Sequence, residues 1–453
     1  MLTNALTSLC VLLGFASVLS KITMMISYVN KHKSFCNFLT IITVMFIFDV
    51  DLPYVFYLLT GKIKTLYYYP DFSTYLYFCS FFFLNTAFAL FLLGFVFFVS
   101  KKTPKKLSFS FDDSSIKKIK RVVPVLVVFF LVGVLIDINA AGSFDFYYRY
   151  HLLRSVEVKL SYSNSLLSYY SEIASFMINP IILLCIIIIQ NSRKFIDKLL
   201  SIIVIIILML TTFSRGYILK VACIYLIVYE GSGVSFSKVK KRVLVFGIIA
   251  AIVFIGFTGI RSLMIGDLFN DVDEYSNFVF YSIEKLFVGT LGSSLVGMTR
   301  VIHYVFYEGS IMNGQSIFEL SYRFIPRAIW EAKPLNYGVQ TINALLGSPS
   351  STMDAVSLAG EMIINFHLLG LLLMPVYGIL VAKSELNRGG EYFKYCYAIN
   401  IFGLATTTMW MGNTGMLSHL FNVFYTYIVV RVFLHFGRNA KHSHSKALIK
   451  QRV

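Results

Sequence analysis

The chain is poor in charge. Asp, Glu, Lys and Arg make up only 14% of its 453 residues, and the acids are the scarcer kind, 23 against 40 basic residues. An ordinary soluble domain carries about 25% charged residues, so a water-facing surface of normal extent is excluded. Tryptophan (2) and proline (9) are rare. The six cysteines, Cys10, Cys36, Cys79, Cys185, Cys223 and Cys396, lie in or beside apolar stretches and form no CxxC pair. That argues against a disulfide framework or a zinc site. There is no Walker A motif and no GxGxxG between a strand and a helix, so an ATP-driven pump is not expected. The first apolar run lacks a basic leader and a small-residue cleavage site, and reads as a spanning helix, not a removed signal peptide.

Apolar side chains fill the space that charge leaves. The chain is 57% hydrophobic, with 43 Phe and 29 Tyr, and its mean hydropathy is +0.72. Repeated apolar runs of about 20 residues are what a bilayer core some 30 Å thick demands of helices. Eleven candidate spans follow: about 2–27, 36–59, 74–99, 122–141, 171–190, 199–213, 216–230, 243–260, 361–382, 395–411 and 415–436. The expected fold is an all-α polytopic integral membrane protein of about 11 transmembrane helices. Three segments organise it: helices in 1–260, with an outer loop at 142–170; a long loop at 261–360; and helices with a basic tail in 361–453.

The net charge of +17 does not point to nucleic acid, because the basic residues sit in short loops between apolar runs. Alternate loops, from Lys31 and Lys33 to the tail beyond residue 437, carry 25 Lys and Arg; the opposite loops carry 12 over far more residues. The positive-inside rule then places the first set in the cytoplasm, the N-terminus outside and the C-terminus inside. Charges within the spans look sparse. Asp49, Asp51 and Asp137 fall near span ends, and Lys220 and Arg431 in or near later ones. An ion-coupled transporter needs carboxylates at mid-membrane, and no such set is visible. A flippase for lipid-linked sugars would place charges along a cavity inside the helices, and the pattern here is the opposite.

Polar residues concentrate on the outer side. Loop 142–170 holds Asp145, Tyr147, Tyr148, Arg149, His151, Arg154 and Glu157. Loop 261–360 contains the aromatic stretch 278–306 with Glu284, Lys285, Arg300 and His303, to be read as an amphipathic surface helix, a re-entrant segment or a pair of spans. The segment Ser321-Tyr-Arg-Phe-Ile-Pro-Arg-Ala-Ile-Trp-Glu-Ala-Lys-Pro334 sets Arg323, Arg327 and Lys333 among Tyr322, Phe324 and Trp330. Guanidinium groups pair bidentately with phosphate oxygens, and Trp and Tyr sit at headgroup level; the plainer reading is an interfacial anchor with snorkelling cations. Arg215 lies in the turn Thr211-Thr-Phe-Ser-Arg-Gly-Tyr217, and Arg261 follows Gly256-Phe-Thr-Gly-Ile260 at a span end. Such a set suits an enzyme acting on a lipid pyrophosphate. Arginines would neutralise the leaving group, and a carboxylate or His would accept a proton from a sugar hydroxyl.

With Phe213-Ser-Arg215-Gly216, the Arg261 span end, the long outer loop, Arg323-Phe-Ile-Pro-Arg327-Ala-Ile-Trp330-Glu-Ala-Lys333-Pro334 and Ser357-Leu-Ala-Gly360-Glu361-Met-Ile-Ile-Asn365-Phe, the chain resembles the O-antigen polymerases of the Wzy type. The resemblance implies a GT-C-like, metal-independent glycosyltransferase of the bacterial inner membrane, without cofactor. It would join oligosaccharide units carried on undecaprenyl pyrophosphate at the periplasmic face. By motif position, Arg215, Arg323, Arg327 and Arg261 would hold pyrophosphate, and Glu361 or His303 would serve as general base. Arg149, Arg154, Trp330 and Lys333 complete the expected substrate-binding set. On this resemblance, arginines would stand in for Mg²⁺. Expected partners are the lipid-linked oligosaccharide, membrane lipids and a polysaccharide chain-length regulator, with no nucleic acid. An O-antigen ligase and a lipid-linked oligosaccharide flippase are the alternatives.

Overall fold

A computed structural model describes residues 2–61, 73–100, 102, 104–109, 111–147, 165–212, 215–264, 286–287, 292–322, 330, 356–390, 392–410, 423–429 and 431–432. Most of the described residues are helical, and among them there is no strand. The main elements are α1 (Leu2–His32), α2 (Phe38–Thr60), α3 (Thr74–Val99), α4 (Asp113–Ala141), α5 (Ser165–Phe176), α6 (Ile178–Asn191), α7 (Phe195–Thr212), α8 (Arg215–Gly231), α9 (Phe236–Met264), α10 (Ser293–Ile302), α11 (Gln315–Tyr322), α12 (Leu358–Phe366), α13 (Met374–Asn387) and α14 (Phe393–Trp410). Among them, six helical stretches are long and apolar enough to cross a membrane: Thr7–His32, Phe38–Thr60, Thr74–Val99, Asp113–Ala141, Leu166–Asn191 and Leu358–Asn387. The expected spans 199–213, 216–230, 243–260 and 395–411 fall on α7, α8, α9 and α14.

The exposed faces are as informative as the core. Leu9, Leu12, Phe15, Leu19 and Ile26 on α1 are exposed, as are Ile202, Ile203, Ile206 and Leu210 on α7 and Leu244, Ile248, Ile249 and Ile252 on α9. A water-soluble protein rarely shows contiguous apolar patches of this extent; hydrocarbon tails are the solvent that suits them. These features together are those of a polytopic membrane protein.

The chain divides into two compact units, each assembled from separate stretches. Unit two comprises Lys105–Ala250, Asn387–Asn400 and Leu420–Val453. At its centre stands α6, whose residues from Ile178 to Ile188 are all buried, as expected of a helix apolar on every side. It packs on α4, α7 and α8. Small residues let α4 approach α5: a Cβ on Gly133 would stand 2.5 Å from that of Ala174. Asp112 starts α4 by accepting from the Ser115 amide, and hydrogen bonds from Ser114 and Ser115 push its carboxyl down to about 2. The basic segment 101–121, between α3 and α4, is held in place along part of its length. Phe109 N–H donates to Gly231 O at 2.8 Å, Arg388 Nε to Lys105 O at 3.3 Å and Lys394 Nζ to Ser108 O at 2.6 Å.

Unit one comprises Met1–Pro104, Ala251–Leu386 and Ile401–His419. Within it α3 and α13 cross at backbone contact. A Cβ on Gly94 would lie 2.0 Å from Pro375 O, and one on Gly378 would lie 2.1 Å from Phe91 O. Only glycine at both positions permits this approach. The six cysteines of the chain are free thiols, buried or half-buried.

Candidate functional site

The polar interior of unit one gathers around α10. This helix has ten residues, about 15 Å at 1.5 Å per residue, half of what a crossing requires. Residues Ser294 to Ile302 are nevertheless all buried. This part of 278–306 is a short buried helix; residues 278–285 and 288–291 lie outside the described residues. α10 packs on α2, α3 and α12, and a Cβ on Gly360 of α12 would sit 3.4 Å from Val301.

A helix that begins inside a protein must satisfy its first amides. Its N-cap here is Gly292, at φ +82° and without a capping side chain. The cap comes from α2: Asp49 accepts from Gly292 N–H and Ser294 N–H, both at 3.1 Å. The reason Asp49 points there lies in Pro53, which has no N–H to give the preceding turn. Ile47–Asp51 winds instead as a π-turn, with Leu52 N–H reaching Ile47 O. Two residues apart on a helix, side chains diverge by roughly 200°. Asp49 therefore faces α10 while Asp51 faces α1.

Asp51 meets Lys21, with Nζ 2.9 Å from Oδ2 and 3.1 Å from Oδ1. Lys21 also donates to Asn85 Oδ1 on α3 at 2.5 Å. Ser17 Oγ lies 3.1 Å from Asp51 Oδ1 and 2.9 Å from Asn85 Oδ1. The ammonium stands 4.6 Å from the centroid of the Phe46 ring. Asp49 and Asp51 are thus not near a span end: both are buried at the middle of α2. Buried charges within the helices do exist, contrary to the sequence reading: Asp49 and Asp51 at mid-helix, and Lys21, Arg300, Glu361 and Glu385 elsewhere along their helices, are all buried.

Glu361 occupies the first turn of α12, which Ser357 caps. It is fully buried. Ser316 Oγ of α11 donates to Glu361 Oε1 at 2.7 Å, and Asn365 Nδ2 donates to Ser316 Oγ at 2.6 Å. His303 opens a second π-turn, His303–Tyr307, at the C-terminal end of α10. It is 29% exposed, with Nδ1 3.3 Å from Glu308 Oε1, and its ring stacks on Tyr307 at 5.4 Å. A third irregular turn, the 3₁₀ segment His367–Leu373, starts with His367 at φ +56°, a backbone state strained for any side chain. His367 packs on Phe306 at 4.6 Å. Irregular helical turns of these kinds recur at functional sites; here one π-turn packs on α10, a second continues from it, and His367 reaches the second through Phe306.

Arg215 begins α8 and Arg261 lies in the last turn of α9. Trp330 is half-exposed. Arg149, Arg154, Arg323, Arg327 and Lys333 lie outside the described residues. Of the expected catalytic set, the fold brings Glu361 and His303 to the same neighbourhood, through the packing of α12 on α10 and its π-turn. Sequence reasoning passed over Lys21, Asn85 and Ser316. A lone lysine inside an apolar helix is itself a signal; nothing local marks Ser316. Among the described residues, no group of three or more His, Cys, Asp or Glu side chains is placed to hold a metal ion. No family model, no curated protein and no solved structure matches the chain.

Proposed function

We propose that this protein polymerises oligosaccharide repeat units carried on undecaprenyl pyrophosphate. In this reading about eleven helices cross the bacterial inner membrane in a GT-C-like arrangement, and the reaction occurs at the periplasmic face. The growing chain passes from its lipid pyrophosphate to a hydroxyl of the incoming unit, that hydroxyl loses its proton to a base, and undecaprenyl pyrophosphate leaves. Arg215, Arg261, Arg323 and Arg327 neutralise the leaving group in place of a metal. A chain-length regulator is the expected protein partner.

The observation that carries the reading is the His303–Glu308 pair, 3.3 Å apart, at the open end of α10. His303 is 29% exposed with a carboxylate beside it, and a solvent-reachable imidazole is what a general base requires. Glu361 is fully buried and already accepts from Ser316. Between the two candidate bases, accessibility favours His303, and Glu361 takes the structural role of anchoring α11.

A flippase for lipid-linked oligosaccharide is the second reading, and the Lys21–Asp51 pair in the apolar interior favours it, since transporters keep ionisable groups there. The glycan profile of a strain lacking the gene separates the readings. Lipid A-core capped with one repeat unit supports the polymerase. Long polymer left on undecaprenyl pyrophosphate identifies a ligase. Single lipid-linked units trapped on the cytoplasmic side identify the flippase.

A further inference from the structure

A cavity of about 240 Å³ opens between the ends of α1 and α3 in unit one, lined by Tyr28, Lys31, His32, Leu39, Val96 and Ser100 among others. Its walls divide by chemistry. Lys31, His32, Ser27 and Ser100 supply cationic and hydrogen-bonding groups, while Met24, Leu39, Val96 and Val99 are apolar. Lys33 follows the end of α1 and Lys102 the end of α3, so the rim is basic. These helix ends belong to the set of loops that together carries the larger share of Lys and Arg. Glu385, which accepts from Phe38 N–H at 3.2 Å, is buried, so it does not present its charge to the opening. The apolar wall continues onto exposed hydrophobic side chains: Leu19 and Ile26 on α1, and Leu93 and Phe97 on α3.

We propose that this cavity binds one anionic phospholipid, with its phosphate among Lys31, His32 and Ser100 and its acyl chains along the groove between α1 and α3. The volume supports a headgroup site. Pockets that enclose a whole small molecule run from roughly 300 to 1,000 Å³, so this one takes the phosphate and glycerol and leaves the tails on the outer helix faces. Charge selects the ligand class: a basic rim at the membrane boundary attracts anionic lipids over zwitterionic ones. The inference depends on the helices crossing a bilayer and not on which reaction the protein performs.

The test is native mass spectrometry of the full-length protein in detergent after equilibration with phosphatidylglycerol or phosphatidylcholine. One phosphatidylglycerol retained per chain at energies that strip phosphatidylcholine is the expected result. Lys31→Ser combined with His32→Gln should weaken retention at least tenfold while the melting temperature measured without lipid stays unchanged. Val96→Phe, which fills the apolar wall and leaves every cation in place, should weaken it as well. Equal retention of both lipids, or undiminished retention in both variants, overturns the proposal. Displacement of the bound lipid by millimolar inorganic phosphate also overturns it, since the site would then be one for a soluble phosphate.

Discussion

Asp49, at the midpoint of α2, holds the first turn of α10 through Ser294 N–H at 3.1 Å. One carboxylate thus lets a half-helix begin inside the apolar interior, where its amides would otherwise lack partners. Asp49→Ala leaves two buried amides unsatisfied, at about 1–3 kcal/mol each. The variant should melt well below wild type in detergent-solubilised form, and Asp49→Asn, which keeps an acceptor, should fall between. Equal melting temperatures for wild type and Asp49→Ala would show that the cap contributes nothing.

The Lys21–Asp51 pair should behave as a unit. Removing one partner of a buried pair strands the other charge and costs about 3–5 kcal/mol, whereas replacing both by neutral groups of similar shape is often neutral. Lys21→Met and Asp51→Asn should each reduce the yield of monodisperse protein, and the double variant should restore most of it. Glycan profiles of the double variant then discriminate function. Normal polymer means that the charges serve folding; a block at the cytoplasmic face supports the flippase reading.

The crossing of α3 and α13 tolerates no side chain. Gly378→Val drives a side chain into Phe91 O, and overpacking of this kind costs about 1–3 kcal/mol or more. Gly247 of α9 is the control, since a Cβ added there would meet nothing within 4 Å. Gly247→Ala should hold or raise the melting temperature, because alanine is the better helix former.

His303→Gln should abolish polymer at normal protein level, as general bases contribute roughly 10²–10⁴-fold. Glu361→Gln should lower folded protein first, because it disturbs the contact with Ser316. Arg327→Ala should also abolish polymer without loss of protein. The readouts are lipopolysaccharide ladders and immunoblots from complemented deletion strains. Normal ladders from His303→Gln would remove it as the base.

Helix positions were legible because a bilayer imposes one rule on every span: about 20 apolar residues in a row. The runs around 36–59, 74–99 and 361–382 reappear as helices within a few residues of their expected bounds. The site was legible only in part. Glu361 and His303 stand out as ionisable residues in apolar surroundings. Asp49 looked like a span-end residue because its role depends on Gly292 and Ser294, more than 240 positions away. Asn85 and Ser316 carry no local signal; each acquires its role from a partner on another helix.

Composition and periodicity by themselves determined that this chain is helical and lives in a membrane, because hydrocarbon accepts only backbones whose hydrogen bonds close within the segment. The tertiary structure alone decided which charges could be buried and what the stretch from 293 to 302 would do. Burying a charge or a helix end is governed by whether a partner stands about 3 Å away, and that distance is set by how helices remote in sequence pack.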